Sequence, residues 1–347
     1  MPPAALRLDI DLDALAANWR WFRDRSGAAT TGAAVKADGY GLGADHVIAA
    51  LYAAGCRDVF VTTFAEAATL ARPARDMTIR ALHGLRPADE IVPDVVPVLN
   101  SPEQVARWRE RGGGAPCDVM IDTGMNRLGI DWRGFAVDML AGLNVDIVHS
   151  HLACADDPDS PMNAEQLQRF ESALAAVRAA RPDVRGSLCG SGAICLGPEY
   201  HFDLTRPGLG IYGGVPNPAA AGTLARVVRP HAEVLTVRIV PAGDSVGYGA
   251  TWRAATDTRV ATINLGYADG YLRGFSNAGS VVLAGRTRPV LGRVSMDLVT
   301  VDVGDLDVTE GDWVEIDYDL PSAAAASGLS QYELLTGLGH RYQRHYR

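Results

Sequence analysis

The sequence predicts an α/β protein in which an N-terminal (β/α)8 TIM-like barrel is followed by a C-terminal, mostly-β domain. Up to Tyr212, short apolar runs alternate with amphipathic segments, which is typical of repeated β-then-α units. After Tyr212, short β-rich segments separated by turn residues dominate. The length of 347 residues exceeds one average domain and suits a large barrel with a smaller partner domain.

The first elements follow from the spacing of apolar residues. Residues 6–13 alternate apolar and polar side chains, as a half-buried strand does. Residues 12–24 predict an amphipathic helix, because apolar side chains recur there at helical intervals. Residues 33–35 form a short run of small and apolar residues, which predicts a strand ending just before Lys36.

Further β-then-α units follow along the chain. Such units build a parallel sheet, and about eight of them predict a closed barrel. Chemistry in this architecture lies at the C-terminal ends of the strands, and Lys36 is at one of those ends. The predicted strands are residues 59–61, 78–82, 95–99, 119–121, 146–148 and 187–188, and the predicted helices are residues 44–54, 103–111 and 164–180.

The second domain begins after a segment typical of a linker, residues 213–218 with the Ala/Gly run that follows. We place the barrel at residues 1–224 and the β domain at residues 225–347, and the first strand, about residues 6–11, could join the β domain. Residues 323–327 are expected to form a solvated loop or a short helix. The predicted strands of this domain are residues 231–240, 259–264, 280–283, 299–303 and 313–316.

Composition limits the classes of partner. The net charge is 32 − 41 = −9 and no Lys/Arg-rich run is present, which argues against nucleic acid or an anionic membrane as a partner. No apolar run reaches membrane-spanning length, and the first nine residues lack the apolar core of a signal peptide. Five scattered cysteines, with no C-x-x-C pair, predict reduced thiols rather than disulfides or a metal site. We therefore expect a soluble, cytoplasmic protein without a metal.

The stretch AAVKADGYGLG, residues 33–43, is the strongest candidate for chemistry. It ends an apolar run in Lys36 and then has three glycines in five residues, with Tyr40 among them. Desolvation of an ammonium is costly, so a buried lysine can lose its proton and become a Schiff-base nucleophile. Glycines let the backbone come close to a ligand. The alternative is a lysine whose stem packs before an ordinary turn while its charge reaches solvent.

Other motifs combine glycine with polar or aromatic residues. Each one alone is compatible with a turn, a surface ion pair or a core aromatic, although GSG is also the kind of turn that binds anions through backbone N–H groups. They are DTGMNRLG (122–129), HSHLA (149–153), GSG (190–192), TRPGLGIY (205–212), VGYGATW (246–252), GYADG (266–270) and GRVSMD (292–297).

Taken together and in this order, AVKADGYG, DTGMNRLG, RPGLGIYG, GYGATW and GRVSMD closely resemble the alanine racemases, pyridoxal-phosphate enzymes of fold type III. The resemblance runs nearly end to end. It implies pyridoxal 5'-phosphate as cofactor, alanine as substrate, and a homodimer with shared active sites. The implied activity is the interconversion of L- and D-alanine by a two-base mechanism on the cofactor aldimine, for peptidoglycan supply or for alanine catabolism.

The resemblance also implies roles for individual residues. Lys36 would hold the cofactor as a Schiff base and then act as the base on one face of the substrate. Tyr248, from the other subunit, would be the opposite base, with His151 assisting it. Arg206 would contact the pyridine nitrogen. The phosphate cradle would consist of Tyr40, Ser191, Gly208 and Leu209, and the substrate end of the site of Arg127, Met296, Asp297 and Tyr267.

The chain departs from the family pattern at several positions. Many members carry a carbamylated lysine where this chain has Met120, so either an anion such as chloride stands there or Arg127 is held differently. The lysine motif is Lys-Ala-Asp-Gly-Tyr rather than the commoner Lys-Ala-Asn-Ala-Tyr. His340 stands roughly where some members place a phosphate-contacting tyrosine, and we carry no role over to it.

Three alternative functions remain open at this point. A racemase of broader scope, accepting serine or other small amino acids, would differ in pocket volume, and a hydroxymethyl group in place of a methyl shifts binding by only about 1–3 kcal/mol. A fold type III decarboxylase would share the barrel and the lysine. A non-catalytic pyridoxal-phosphate carrier would resemble the barrel alone.

Overall fold

The computed structural model describes residues 4–347, and these form two compact units. The barrel unit is Asp13–Ala225, and the β unit combines residues 4–12 with Arg226–Arg347. Residues 1–3, which the sequence assigns to the first domain, lie outside the described residues.

The chain starts in the β unit with β1 (Leu6–Ile10) and then enters the barrel unit. The barrel helices are α1 (Leu12–Arg25), α2 (Lys36–Tyr40), α3 (Ala44–Ala54), α4 (Phe64–Thr69), α5 (Pro102–Arg111), α6 (Pro161–Ala180) and α7 (Ser191–Ile194). The barrel strands are β2 (Thr30–Thr31), β3 (Ala33–Ala34), β4 (Asp58–Val61), β5 (Thr78–Ala81), β6 (Val95–Leu99), β7 (Pro116–Asp122), β8 (Ile130–Asp131), β9 (Asn144–His149), β10 (Arg185–Ser187) and β11 (Leu204–Thr205).

Eight parallel segments close the barrel. Seven strands pair in the order β3-β4-β5-β6-β7-β9-β10, while β8 pairs beside β7. β11 pairs in parallel with β2, which Gly32 joins to β3. On its other side the β11 region bonds to β10, because the amide of Arg206 donates to the carbonyl of Cys189 at 2.8 Å. The predicted (β/α)8 barrel is therefore confirmed.

Local sequence explains where the barrel helices start. The Ser101 hydroxyl accepts from the amide of Gln104 at the start of α5, and Thr63 caps α4 in the same way. The segment expected to be a linker is folded into the barrel unit. Asn217 is buried there, and its side chain donates to the carbonyls of Ala155 and Gly192.

The β unit is built around a closed antiparallel barrel of six strands, in the order β15-β18-β17-β16-β19-β12, which the β12–β15 pairing closes. β1 runs antiparallel to β12, and β20 runs parallel to β1, so the first strand of the chain completes this unit. Residues 323–327 are helical. The remaining elements are β12 (Val228–Val240), β13 (Ser245–Val246), β14 (Trp252–Arg253), β15 (Thr258–Asn264), β16 (Ser280–Leu283), β17 (Arg286–Leu291), β18 (Leu298–Asp302), β19 (Trp313–Ile316), β20 (Gln343–Tyr346), α8 (Leu320–Ser327) and α9 (Gln331–Thr336).

All five cysteines are free thiols. Within residues 4–347, no helix is long and apolar enough to cross a membrane. The same residues contain no group of three or more His, Cys, Asp or Glu side chains placed to hold a metal ion.

Candidate active site

Lys36 lies just past the C-terminal end of β3, which is the end strand of the seven paired barrel strands. It is the first residue of α2. Residues 37–40 all have φ between 54° and 61°, in the left-handed region. This conformation costs roughly 1–2 kcal/mol for a residue with a side chain, and strained backbone of this kind clusters at functional sites. Two bonds hold the turn. The amide of Asp38 donates to the Glu66 carboxylate at 3.3 Å, and the Asp38 carboxylate accepts from the amide of Ala44 at 2.8 Å.

The surroundings of Lys36 favour its neutral amine. Burial of the side chain and the positive charges of Arg127 and Arg206 lower the pKa of Lys36, against a smaller opposing effect of Glu66. A lowered pKa increases the fraction of neutral amine, which is the nucleophilic form.

Lys36 is also the only lysine in the 347 residues, all other basic side chains being arginine or histidine. This count is a sequence signal that motif reasoning passed over. It excludes a carbamylated lysine anywhere else in these residues, and it makes Lys36 the only side-chain amine that can form a Schiff base.

Tyr40 and Gly208 approach each other closely beside this lysine. A Cβ atom at position 208 would lie 2.4 Å from the Tyr40 hydroxyl oxygen, so only glycine fits there. The Tyr40 ring stacks on Tyr212 with a centroid distance of 4.3 Å, and the Tyr212 hydroxyl donates to the Ala34 carbonyl at 2.9 Å. The Tyr40 phenol is thus fixed against the backbone at residue 208.

Ser191 completes a cradle with the same backbone. Its Oγ accepts from the amides of Gly208 at 2.8 Å and Gly210 at 3.2 Å. A hydroxyl that accepts twice still has its own proton to donate. Two hydroxyl donors, from Ser191 and Tyr40, therefore border the glycine backbone that leads into Leu209. This donor set fits a phosphate group.

Arg206 lies at the end of β11 and is buried. Its Nη2 donates to the Ser150 carbonyl at 2.7 Å, and its Nη1 contacts the Ser187 hydroxyl and lies 3.3 Å from His149 Nδ1. Burial lowers the pKa of Arg206 to about 10, so the guanidinium remains charged near neutral pH.

A buried polar chain continues from Arg206 through the barrel interior. His149 Nε2 lies 2.9 Å from the Asp118 carboxylate, which in turn pairs with Arg80 at 2.6 Å. Burial lowers the pKa of His149 to about 4, against the opposing effect of Asp118, so the ring is neutral at pH 7. Arg80 also pairs with Asp58 at 3.1 Å and Asp146 at 2.8 Å.

The motifs in the sequence did not reveal this buried run of polar side chains, although one of them contains His149. A signal was present, since Arg80, Asp118 and Asp146 interrupt strand-like apolar runs, where charges need partners. Strand pairing determines which charged side chains meet, and the sequence of one strand does not show which strands pair with it.

Arg127 and His151 face the same end of the barrel unit as Lys36. The amide of Arg127 donates to the Asp122 carboxylate at 2.9 Å, which shapes the loop, and its side chain is exposed. His151 is exposed at the surface of the barrel unit. Desolvation by the surrounding protein and the positive charges of Arg206, Lys36 and Arg127 lower its pKa. Met120, which the resemblance matches to the family's carbamylated lysine, is buried on β7.

Tyr248 lies in the β unit, at the tip of the hairpin formed by β13 and β14. It is flanked by Gly247 and Gly249, with φ of 73° and 72°, and these glycines turn the chain sharply on both sides of it. The Tyr248 side chain is 70% exposed. A Cβ atom on Gly247 would lie 3.5 Å from the amide of Arg293, so this tip adjoins the loop that contains Met296 and Asp297.

The loop that contains Tyr267 adjoins the same loop. The amide of Tyr267 donates to the Ser295 carbonyl at 3.0 Å, and the amide of Ala268 donates to the Met296 carbonyl at 3.1 Å. Met296 is 53% exposed. The structure therefore groups the predicted site residues into two sets, Lys36, Tyr40, Arg127, His151, Ser191, Arg206, Gly208 and Leu209 in the barrel unit, and Tyr248, Tyr267, Met296 and Asp297 in the β unit.

The arrangement in the barrel unit suits a phosphate-bearing aldehyde cofactor. The single lysine offers an amine of lowered pKa, the hydroxyls of Tyr40 and Ser191 form an anion cradle, and Arg206 presents a fixed positive charge. These residues fit pyridoxal phosphate.

Comparison with known protein families gives matches over both units. The family model for the alanine racemase N-terminal domain matches residues 10–216, and that for the C-terminal domain matches residues 227–346.

Individual relatives match over nearly the whole length. The chain is 42% identical to the biosynthetic alanine racemase of Agrobacterium fabrum, over 99% of this chain and 94% of that protein. It is equally identical to the catabolic alanine racemase of the same organism, over 99% and 92%. The crystal structure of alanine racemase from Bartonella henselae with covalently bound pyridoxal phosphate superposes with a TM-score of 0.89 at 35% identity, over 99% of this chain and all of that one.

Proposed function

The chain belongs to the alanine racemase family, and we propose that Lys36 and Tyr248 are the two residues that move the α-proton of alanine. Its activity is the interconversion of L- and D-alanine with pyridoxal phosphate as cofactor. The observation that supports the proposed site most strongly is the only lysine of the chain, with a lowered pKa, at the end of a barrel strand beside the Tyr40–Ser191 cradle.

Lys36 has two tasks in this proposal. Its neutral Nζ would hold the cofactor through its aldehyde group, and the same amine would take or return a proton at the α-carbon on one face of the substrate. Pyridoxal phosphate, when bound, withdraws electrons from the α-carbon and so weakens the bond to that proton. The lowered pKa of Lys36 serves both tasks, because a nucleophile and a general base both need the neutral form.

Tyr248 acts on the opposite face. Since its side chain is 70% exposed on the single chain, we propose that it enters the active site of a second copy, giving a homodimer with shared sites. A free phenol titrates near pH ~10, so the positive charges around Lys36 and Arg206 would help it to lose its proton near neutrality. His151, neutral and beside those charges, is the proposed assisting group.

The remaining residues bind and orient. Tyr40, Ser191 and the backbone of Gly208 and Leu209 hold the phosphate. Arg206 would face the pyridine nitrogen and, because its guanidinium is charged near neutral pH, would not readily give up a proton there. Arg127 faces the substrate carboxylate, and Met296, Asp297 and Tyr267 of the partner subunit bound the substrate end.

The physiological role is proposed from the same family membership. We propose a cytoplasmic enzyme, consistent with its five free thiols, that supplies D-alanine for peptidoglycan or serves alanine catabolism. Relatives named biosynthetic and catabolic are equally identical to the chain, so identity favours neither role.

The test uses the lysine count. The purified protein with pyridoxal phosphate is treated with borohydride, digested and mapped by mass spectrometry, and D-alanine formation from L-alanine is measured in parallel. We expect one reduced adduct, on the peptide containing Lys36, together with racemisation. Lys36→Arg gives a lysine-free chain and is expected to lose the adduct and at least ~10³-fold of the turnover, since no other lysine can substitute. An adduct confined to the chain's α-amino group, or turnover retained by the variant, contradicts the assignment.

A further inference from the structure

Two loops of the β unit that contain proposed substrate-end residues are joined by one arginine. The first is residues 266–270, with Tyr267, and the second is the turn at residues 295–298, with Met296 and Asp297. Arg341, just before β20, reaches both of them.

The contacts use three separate donors of the guanidinium. Nε and Nη2 of Arg341 donate to the two carboxylate oxygens of Asp269 at 2.6 and 2.7 Å, while Nη1 donates to the Asp297 carboxylate at 2.7 Å. Asp269 is fully buried, and it also accepts from the amide of Gly266 at 3.0 Å. A paired fork of this kind fixes the orientation of the guanidinium as well as its position.

The backbone holds the same assembly together. The amide of Gly339 donates to the Asp269 carbonyl at 3.2 Å, so the segment before Arg341 lies on the first loop. A Cβ atom on Gly270 would lie 2.2 Å from the Gly337 carbonyl oxygen, and one on Gly266 would lie 2.1 Å from the Met296 carbonyl oxygen. The three segments are therefore packed without space between their backbones.

We infer that Arg341 is a positioning residue for the substrate end of the active site. The buried Asp269 carboxylate accepts from Nε and Nη2 of Arg341 and so orients the guanidinium. Its third donor, Nη1, then fixes the Asp297 carboxylate relative to Tyr267. This inference rests on the proposed function, because it takes Tyr267 and Asp297 to border the substrate. Asp297 thus has a set position and a paired carboxylate before alanine arrives, which keeps that carboxylate from moving toward the carboxylate of the substrate.

The experiment compares Arg341→Lys with the unmodified protein, both loaded with pyridoxal phosphate. A lysine keeps the positive charge near Asp269, but one ammonium cannot form the fork and also reach Asp297. We expect KM for L-alanine to rise about tenfold while kcat changes less than about twofold, because a binding loop loses its position and the proton-transferring groups do not. The visible absorbance of the bound cofactor and the melting temperature are measured on the same samples.

A double-mutant cycle separates positioning from general stability. If Arg341 acts through Asp297, then Arg341→Lys adds less than about twofold in KM to a chain that already contains Asp297→Asn. Multiplicative effects overturn the inference, and so does an unchanged KM in the single variant. Arg288→Lys is the matched control, since Arg288 pairs with Asp302 at 2.6 Å in the same unit but touches neither loop.

Two further points keep the test decisive. If Arg341→Lys does not fold, the pair Asp269→Asn with Arg341→Gln removes both charges together and leaves no buried carboxylate unpaired. It must then show the same rise in KM, and a KM like that of the unmodified protein overturns the inference. Failure of the unmodified protein to form D-alanine contradicts the proposed function, whereas racemisation with a normal KM in the variants contradicts only the role of Arg341.

Discussion

Single residues set the acid–base behaviour of the barrel unit. Lys36 lies near the positive charges of Arg127 and Arg206, and Arg206 is itself buried. The histidine beside Arg206, His149, is buried with its Nε2 2.9 Å from the Asp118 carboxylate. Neutral His149 can accept from the Arg206 guanidinium at Nδ1 while its Nε2–H donates to Asp118, so one ring orients the arginine proposed for the cofactor nitrogen.

Stability should fall in mild acid because of His149. Its pKa is about 4 in the folded chain against an ordinary value of 6.5, so the unfolded chain binds more protons between these values and stability rises with pH across that window. We expect His149 to account for a loss of about 2 kcal/mol between pH 7 and pH 5. Urea unfolding at both pH values, with His149→Gln for comparison, measures it. An equal loss in the variant assigns the effect to other groups.

Tyr248→Phe removes one hydroxyl from an exposed side chain at a hairpin tip. It leaves the barrel-unit cradle unchanged, so cofactor affinity should stay within about twofold while turnover falls about 10²–10⁴-fold, the usual contribution of a positioned general base. Solvent-deuterium incorporation at the α-carbon, followed separately from L- and D-alanine, should show one direction slowed more than the other. Loss of the cofactor instead would identify Tyr248 as structural.

Elements of the barrel converge on one buried ionic layer. Arg80 of β5 sits between carboxylates from three other strands, Asp58 of β4, Asp118 of β7 and Asp146 of β9, and Arg185 of β10 pairs with Asp146 at 2.8 Å. Removal of one member leaves buried charges uncompensated, which costs more than the pair itself contributes.

Arg80→Met should therefore destabilise the chain by about 3–5 kcal/mol. Arg133→Met is a matched control, because Arg133 pairs with Asp131 at 3.4 Å with both side chains 62% exposed, and it should cost less than about 1 kcal/mol. Chemical unfolding of both variants at pH 7 makes the comparison. Similar costs for the two would mean that the buried layer contributes no more than a surface pair.

The distribution of the proposed site residues over the molecule bears on how many copies of the chain form one active site. The proposed site residues are divided between two compact units, and the large apolar or aromatic ones that are exposed, Tyr248 at 70% and Met296 at 53%, belong to the β unit. Tyr248 and Met296 lie in adjoining loops of the β unit, so they expose apolar surface next to each other, which is the kind of patch that can mark an interface.

Mixing two inactive variants tests the shared site. In a heterodimer of a Lys36→Arg chain and a Tyr248→Phe chain, one site combines both substitutions and the other has neither. Random pairing in a 1:1 mixture should therefore restore about one quarter of the activity of the unmodified protein. Subunits are exchanged under mild denaturant, and the heterodimer is isolated by differential tags. An inactive, verified heterodimer would place both residues in the same chain's site.

Much of the fold and of the proposed site could be predicted from sequence, since these features are encoded locally. Alternation of apolar and polar residues identified the β-then-α rhythm and the change after Tyr212, because side chains point to opposite faces in a strand and recur at 3.6 residues in a helix. The motif around Lys36 predicted its proposed chemistry, because an ammonium at the end of an apolar strand is costly to desolvate.

Only the tertiary structure decided which distant groups meet. Arg80 and Asp118 are 38 positions apart, Asp118 and His149 are 31, and His149 and Arg206 are 57. The short β11 and the pairing of β1 with β12 were decided in the same way. Local periodicity gives the face on which a side chain lies, but strand order and register determine its neighbour. The buried chain behind Arg206 and the loops joined by Arg341 therefore exist only in the folded protein.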